Sequence, residues 1–375
     1  MNVQLVTRNY QQMIGLARYT TCLCRALEQA DITYTLRRPT HGLLVRLAHR
    51  LLSPFGFDVR TFFTTYPLSA GLKRGTLTHL TTQQMAIMLW LHPHVRPVVV
   101  TVHDIVPFLV RDDVEQSTFQ HPIDRWFDQW AMAGLKCSDA LISDSQFTKQ
   151  AVVATLGYPE GKVHVVHLGV VHSIFHPRAV PQAFYQRFQL DPSLRYILYV
   201  GSENPRKNLS RLLRAFAAVH AQRPDLRLIK IGSIQYGPQA EALRRQISEL
   251  DLGNDVLLID HVTDQDLALF YNAATLFAFP SLYEGFGLPP LEAMACGTPV
   301  VCSSAASLPE VVGDAAIAID PTDVDALAAS IVRVLGDSDL RDDLRQRGLA
   351  RAARFTWERT ARATVEVYEK VLGKT

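Results

Sequence analysis

The densest group of chemistry-bearing residues in the chain is Phe279-Pro-Ser-Leu-Tyr-Glu-Gly-Phe-Gly-Leu-Pro-Pro-Leu-Glu. An apolar run ends at Phe279, a glycine-containing turn follows, and the pattern predicts a helix from about Leu288 with Pro289 in its first turn, where a missing N–H costs nothing. The free N–H groups of Phe286, Gly287 and Leu288, together with the helix dipole, would face an anion. Glu284 and Glu292 flank that position. A carboxylate only accepts hydrogen bonds, which suits it to the paired hydroxyls of a sugar. Read blandly, the two are a loop acid and an exposed helix acid around an ordinary turn.

A second group, Gly201-Ser-Glu-Asn-Pro-Arg-Lys-Asn-Leu, follows the apolar run Tyr196–Val200. Arg206 and Lys207 fall where a loop meets a helix, on a stretch expected to face solvent, and adjacent cations there would neutralise a diphosphate as its bond to a sugar breaks. Without the acidic motif the same turn reads as a solvated basic loop. His103 and Asp104 come directly after the run ending at Val102, a position that favours function over a simple core histidine. Gly15 would let backbone approach a ligand before a helix carrying Arg18 and Tyr19 begins.

Other motifs speak by what they exclude. Asp323-Val-Asp325 and Asp337-Ser-Asp339 each open an amphipathic pattern, so helix capping explains them better than a metal-binding pair, and no metal or other cofactor is expected. Neither a phosphate-cradling Gly-x-x-x-x-Gly-Lys loop nor a Gly-x-Gly-x-x-Gly fingerprint follows a strand, which disfavours nucleotide hydrolysis and dinucleotide redox chemistry.

These residues need a scaffold. Short Val/Ile/Leu runs recur between helical stretches at Val3–Thr7, Pro97–Val102, Ala140–Ser143, Val163–His167, Tyr196–Val200, Leu226–Ile231, Val256–Ile259, Leu276–Phe279 and Pro299–Cys302. Runs of that kind mark strands buried on both faces, and 375 residues exceed what one core organises, so two doubly wound parallel α/β sheets are expected. The proline-rich stretch between Gly169 and Tyr196 places the boundary: residues 1–180, residues 181–357, and a last helix over 358–375 that returns to the first domain.

The chain is 48% hydrophobic and 20% charged, with 38 Lys and Arg against 36 acids, which gives no reason to expect nucleic acid as a partner. Residues 1–80 are nonetheless basic. Five cysteines without metal-ligand spacing argue against a disulfide framework and fit the cytoplasm. Leu43, Leu47 and Leu51 share one helical face and Arg46 and Arg50 another, so the region 41–63 suits peripheral contact with anionic lipid; alternatively Phe55, Phe57, Phe62 and Phe63 bury that face.

Taken together the motifs resemble the retaining family 4 glycosyltransferases, whose hallmark is Glu-x7-Glu; here Glu284 and Glu292 enclose seven residues. Gly15-Leu-Ala-Arg-Tyr19, His103-Asp104, Ser143-Asp-Ser-Gln-Phe-Thr-Lys149 and the Gly201–Asn208 segment are similar to that family's recurrent segments and follow its order. The resemblance implies the GT-B fold, with an N-terminal acceptor domain and a C-terminal nucleotide domain facing a cleft. It implies that Glu284 contacts the donor hexose, Glu292 the ribose, and Arg206 with Lys207 the diphosphate. His103 would reach the transferred sugar, backbone near Val262 and Gly232 would meet the base, and Gly15, Arg18, Tyr19 and Asp104 would lie on the acceptor side. Transfer would retain anomeric configuration without a metal, the departing phosphate helping to deprotonate the acceptor. Some relatives carry Arg where this chain has Ser202; by that resemblance one diphosphate contact would be absent here and the two cations would carry more of the charge. The expected activity is hexose transfer, with GDP-mannose as first choice of donor, to a saccharide or lipid-linked saccharide. A GT-B nucleotide-sugar binder or epimerase without transfer is the alternative.

Overall fold

The structure, a computed structural model, describes residues 1–8, 15–39, 43–52, 59–112, 122–232 and 238–373. The chain divides into two compact units, Met1–Gly169 with Trp357–Thr375, and Val170–Thr356.

The first unit carries β1 (Asn2–Val6), β2 (Thr33–Arg37), β3 (Leu77–Leu80), β4 (Val98–Val102), β5 (Ala140–Ser143) and β6 (Val163–Val165), all parallel, in the order β2-β1-β3-β4-β5-β6. The second carries β7 (Arg195–Val200), β8 (Leu226–Ile231), β9 (Val256–Ile259), β10 (Leu276–Phe279), β11 (Val300–Ser303) and β12 (Ile317–Ile319), also parallel, in the order β12-β11-β10-β7-β8-β9. Both are the doubly wound α/β arrangement that buried aliphatic runs predict. Every residue of β4, β5 and β10 is buried, because helices cover both faces of the sheet. In the second sheet β7 continues to β8 on one side and adjoins β10 on the other. That reversal opens a crevice beyond the carboxyl ends of β7 and β10, where open α/β sheets bind ligands.

The helix Trp357–Val371 belongs to the first unit, and a buried polar chain fixes it there. Tyr368 OH meets His79 Nδ1 at 2.6 Å, His79 Nε2 meets Thr101 Oγ1 at 2.7 Å, and Thr101 Oγ1 meets Tyr19 OH at 2.9 Å. Burial, reinforced by the nearby His103, lowers the His79 pKa to about 3, so the ring is neutral. Tyr368→Phe strips one ring nitrogen of its partner inside the core, which is expected to cost about 1–3 kcal/mol in denaturant unfolding. The depressed pKa also sets a sign. Between about pH 6.5, the ordinary histidine value, and about 3 the unfolded chain binds the extra proton, so His79's contribution to stability falls as pH falls through that window.

Asp323 and Asp337 cap helices: their carboxylates accept from Ala326 N at 2.8 Å and Leu340 N at 2.9 Å. In the region 41–63, Leu47 and Leu51 are 48% and 70% exposed rather than packed on a core. Phe55 and Phe57 lie outside the described residues. No helix among the described residues is long and apolar enough to cross a membrane.

Candidate functional site

The crevice between β7 and β10 brings together residues 77 positions apart in sequence. After β7 the chain turns through Asn204, whose side chain accepts from Arg206 N, and a short 3-10 turn over Pro205–Lys207; Asn208 then takes a left-handed φ of 61° and starts the helix Leu209–His220. Asn208 Nδ2 donates to Pro280 O at 2.8 Å and Pro321 O at 2.7 Å, and Leu282 N donates to Arg206 O at 2.7 Å. These bonds stitch the loop after β7 to the loops after β10 and β12.

Within these stitched loops Lys207 Nζ reaches both oxygens of Glu284, at 2.7 and 3.0 Å, and Arg206 places one NH 3.4 Å from Glu284 and 2.9 Å from Tyr283 O. The two cations are not on a solvent-facing loop, as the sequence suggests. Their side chains are only 21% and 15% exposed, because the Glu284 carboxylate, itself 9% exposed, draws them in. Burial would raise the Glu284 pKa, yet Lys207 and Arg206 hold it below the ordinary carboxylate range, so the cluster is two cations around one anion and net positive.

Next to this charge the helix Leu288–Ala295 begins with Pro at its first positions and Gly287 as its N-cap. Gly287 has φ +128°, and a Cβ there would lie 2.8 Å from the Leu308 side chain, so only glycine fits. Ser307 Oγ fixes the approach by donating to Phe286 O at 2.6 Å and lying 2.9 Å from Glu284 O. Glu292 sits on this helix, 3% exposed, and accepts from Tyr271 OH at 3.2 Å. Gly232 follows β8 with φ +136°, its would-be Cβ 2.6 Å from Gly201 O, which packs the turns after β7 and β8 together. Ser202 lies in the first of these turns, its carbonyl 3.3 Å from Tyr199 OH. Val262 is half-buried just before the helix Asp264–Ala273.

The remaining sequence candidates belong to the first unit. His103 follows β4 and is buried, with Nδ1 2.6 Å from Asp144 and Nε2 2.9 Å from Thr81 O. Thr81 O can only accept, so Nε2 carries a proton, while His103 Nδ1 and Asp144 share the proton between them. Burial pulls the His103 pKa down, but the Asp144 carboxylate outweighs it and the net direction is up. Asp104 is half-buried and accepts from Val106 N at 3.2 Å. Gly15 is exposed at the start of the helix Gly15–Gln29, Arg18 is half-buried, and Tyr19 packs edge-on against His103 with centroids 4.6 Å apart.

Several residues of the site carry no sequence motif. Ser307 and Tyr271 are ordinary helix-associated residues whose roles appear only on folding. Asp144, by contrast, lies in the Ser143–Lys149 segment and follows β5 directly, as His103 follows β4, so its partnership with His103 was legible in principle.

Comparison with known proteins fits this geometry. The family profile described as glycosyl transferases group 1 matches residues 183–351, and that of glycosyltransferase family 4 matches residues 13–174. The chain is 35% identical over 275 residues to O-antigen chain mannosyltransferase B of Escherichia coli, covering 72% of this chain and 70% of that protein. It is 30% identical over 279 residues to the serotype-specific mannosyltransferase WbdA of the same species, there spanning 33% of the relative's length. Among solved structures, sucrose-phosphate synthase from Thermosynechococcus elongatus superposes with a TM-score of 0.77 at 22% identity, covering 100% of both chains. Anabaena HepE in complex with UDP-glucose superposes at 0.71 with 20% identity, again covering 100% of both. Two doubly wound parallel sheets, both family profiles and a 35% identical relative place the chain among the group 1, family 4 glycosyltransferases of the GT-B fold.

Proposed function

We propose that the protein transfers a hexose, with retention and without a metal, from a nucleoside diphosphate sugar to a saccharide or lipid-linked saccharide acceptor in cell-surface glycan synthesis. The observation that carries this reading is the Arg206–Lys207–Glu284 cluster beside the N-terminus of Leu288–Ala295. A departing diphosphate would exchange its bond to the sugar for contacts with two fixed cations and a helix dipole, which is charge neutralisation a metal would otherwise supply. Glu284, kept ionised, is suited to hold hexose hydroxyls near the anomeric carbon, and Glu292 to hold the ribose. GDP-mannose is the first choice of donor because the relatives at 35% and 30% identity are named mannosyltransferases. UDP-sugars are the competing choice, since HepE was crystallised with UDP-glucose. The exposed Leu47 and Leu51 support peripheral contact with the inner face of an anionic membrane, where a cytoplasmic enzyme would meet a lipid-linked acceptor.

Thermal-shift titration tests the donor. A ligand that binds only the folded state at a hundred times its Kd adds about 2.7 kcal/mol of apparent stability. GDP is expected to raise the unfolding midpoint more than UDP at equal concentration, and a chelator is expected to leave mannose transfer unchanged. A larger shift with UDP would replace the donor assignment, and chelator-sensitive transfer would remove the metal-independent reading.

A further inference from the structure

Lys230 is wholly buried in a strand that is otherwise apolar on the same face. Leu226, Leu228 and Lys230 share that face by the two-residue repeat, and both leucines belong to the core of the unit. In the parallel ladder Lys230 stands beside Tyr199 of β7, which is also wholly buried. Their polar ends rise to one loop. Tyr199 OH lies 3.3 Å from Ser202 O and 3.4 Å from Lys207 O. Lys230 Nζ donates to Glu203 Oε1 at 2.5 Å and to Gly232 O at 2.9 Å, and the Glu203 side chain is only 2% exposed.

Taking such a pair out of water commonly costs more than its attraction returns, and an apolar pair of similar volume would serve the core as well. An apolar pair could not tie the loop after β7, through Glu203, to the turn after β8, through Gly232. Three and four residues beyond Glu203 the same loop presents Arg206 and Lys207. We infer that Lys230 and Glu203 are positioning residues of the donor site, fixing the height of the Gly201–Asn208 loop so that Arg206 and Lys207 meet the diphosphate. The inference rests on reading that loop as the diphosphate site.

Two variants of the full chain separate positioning from mere packing. Lys230→Met/Glu203→Leu removes both charges and keeps apolar volume, so its unfolding midpoint should stay near the parent's. Glu203→Asp keeps the ion pair but withdraws the carboxylate by one methylene. In both, titration with GDP and UDP should show the preferred nucleotide bound about tenfold more weakly, and donor turnover should fall by roughly a hundredfold, the effect of displacing a reacting group by about 1 Å. A folded variant that binds and turns over like the parent overturns the inference. Should the apolar pair fail to fold, the Glu203→Asp result alone decides. A parent that binds neither nucleotide overturns the site reading and this inference with it, whereas a binding parent matched by its variants overturns the inference alone.

Discussion

Replacing Arg206 and Lys207 together by alanine is expected to lower turnover by about a hundredfold or more, since each donor aimed at developing charge contributes several kcal/mol of barrier lowering. The structure adds a cost to folding. Glu284 would stay buried with both cationic partners gone, and breaking a buried pair in that way typically costs about 3–5 kcal/mol. pH distinguishes the two effects. In the parent, the depressed Glu284 pKa contributes stability present above the unfolded value of about 4.3 and lost as pH falls through the folded value. In the variant, burial is opposed only by the Ser281 hydrogen bond and pushes the carboxyl pKa up from its value in the parent, so the stability deficit should shrink as pH is lowered from neutrality. Steady-state turnover measured well below the unfolding midpoint, together with denaturant unfolding at several pH values, reads both. Unchanged turnover in the folded double variant would refute the assigned role.

The scaffold was legible where its cause is local. Most strands left an aliphatic run, and Ala140–Ser143, Leu226–Ile231, Val256–Ile259 and Leu276–Phe279 have the same bounds in the structure as in the sequence. The three strands without such a run each have a reason. β2, Thr33–Arg37, is an edge strand with no fully buried residue, so nothing selects aliphatic side chains there. β3, Leu77–Leu80, is fully buried but carries Thr78 and His79, whose polar groups are satisfied by Gln4, Thr101 and Tyr368 from distant parts of the chain. β12, Ile317–Ile319, is a three-residue edge inside an alanine-rich stretch.

The site divides in the same way. Strand ends, a glycine turn and adjacent cations are properties of short segments, and they single out Arg206, Lys207, Gly287 and Glu284. How those segments meet is a property of strand order, because β7 and β10 are neighbours only through the reversal of the sheet. The half-buried state of both cations therefore could not be read from a loop that looks solvated. His103 shows the same limit from the other side. Its strand-end position was visible, but the two acceptors that hold its ring, Asp144 and Thr81 O, come from the ends of two other strands.

Glu284 and Glu292 should fail differently when changed, because different partners surround them. In Glu284→Gln a neutral amide replaces the carboxylate that Lys207 and Arg206 share, and on the proposed hexose role charge developing at the anomeric carbon loses its counterpart, so turnover should fall strongly. Free nucleoside diphosphate should bind as well as before or better, since both cations are released toward the phosphates. Glu292→Gln keeps an oxygen that can accept from Tyr271 OH, so the helix should remain seated. If Glu292 holds the ribose as proposed, the loss falls there: a hydrogen bond to a charged acceptor contributes about 1.5–3 kcal/mol, so free nucleotide and donor should both bind about ten- to a hundredfold more weakly. Ribose contacts change little during transfer, so turnover at saturating donor should fall less than it does in Glu284→Gln. Titrations with nucleotide alone, set beside steady-state kinetics, read the two effects independently. If Glu284→Gln loses nucleotide affinity while Glu292→Gln keeps it, the hexose and ribose assignments along this motif are reversed.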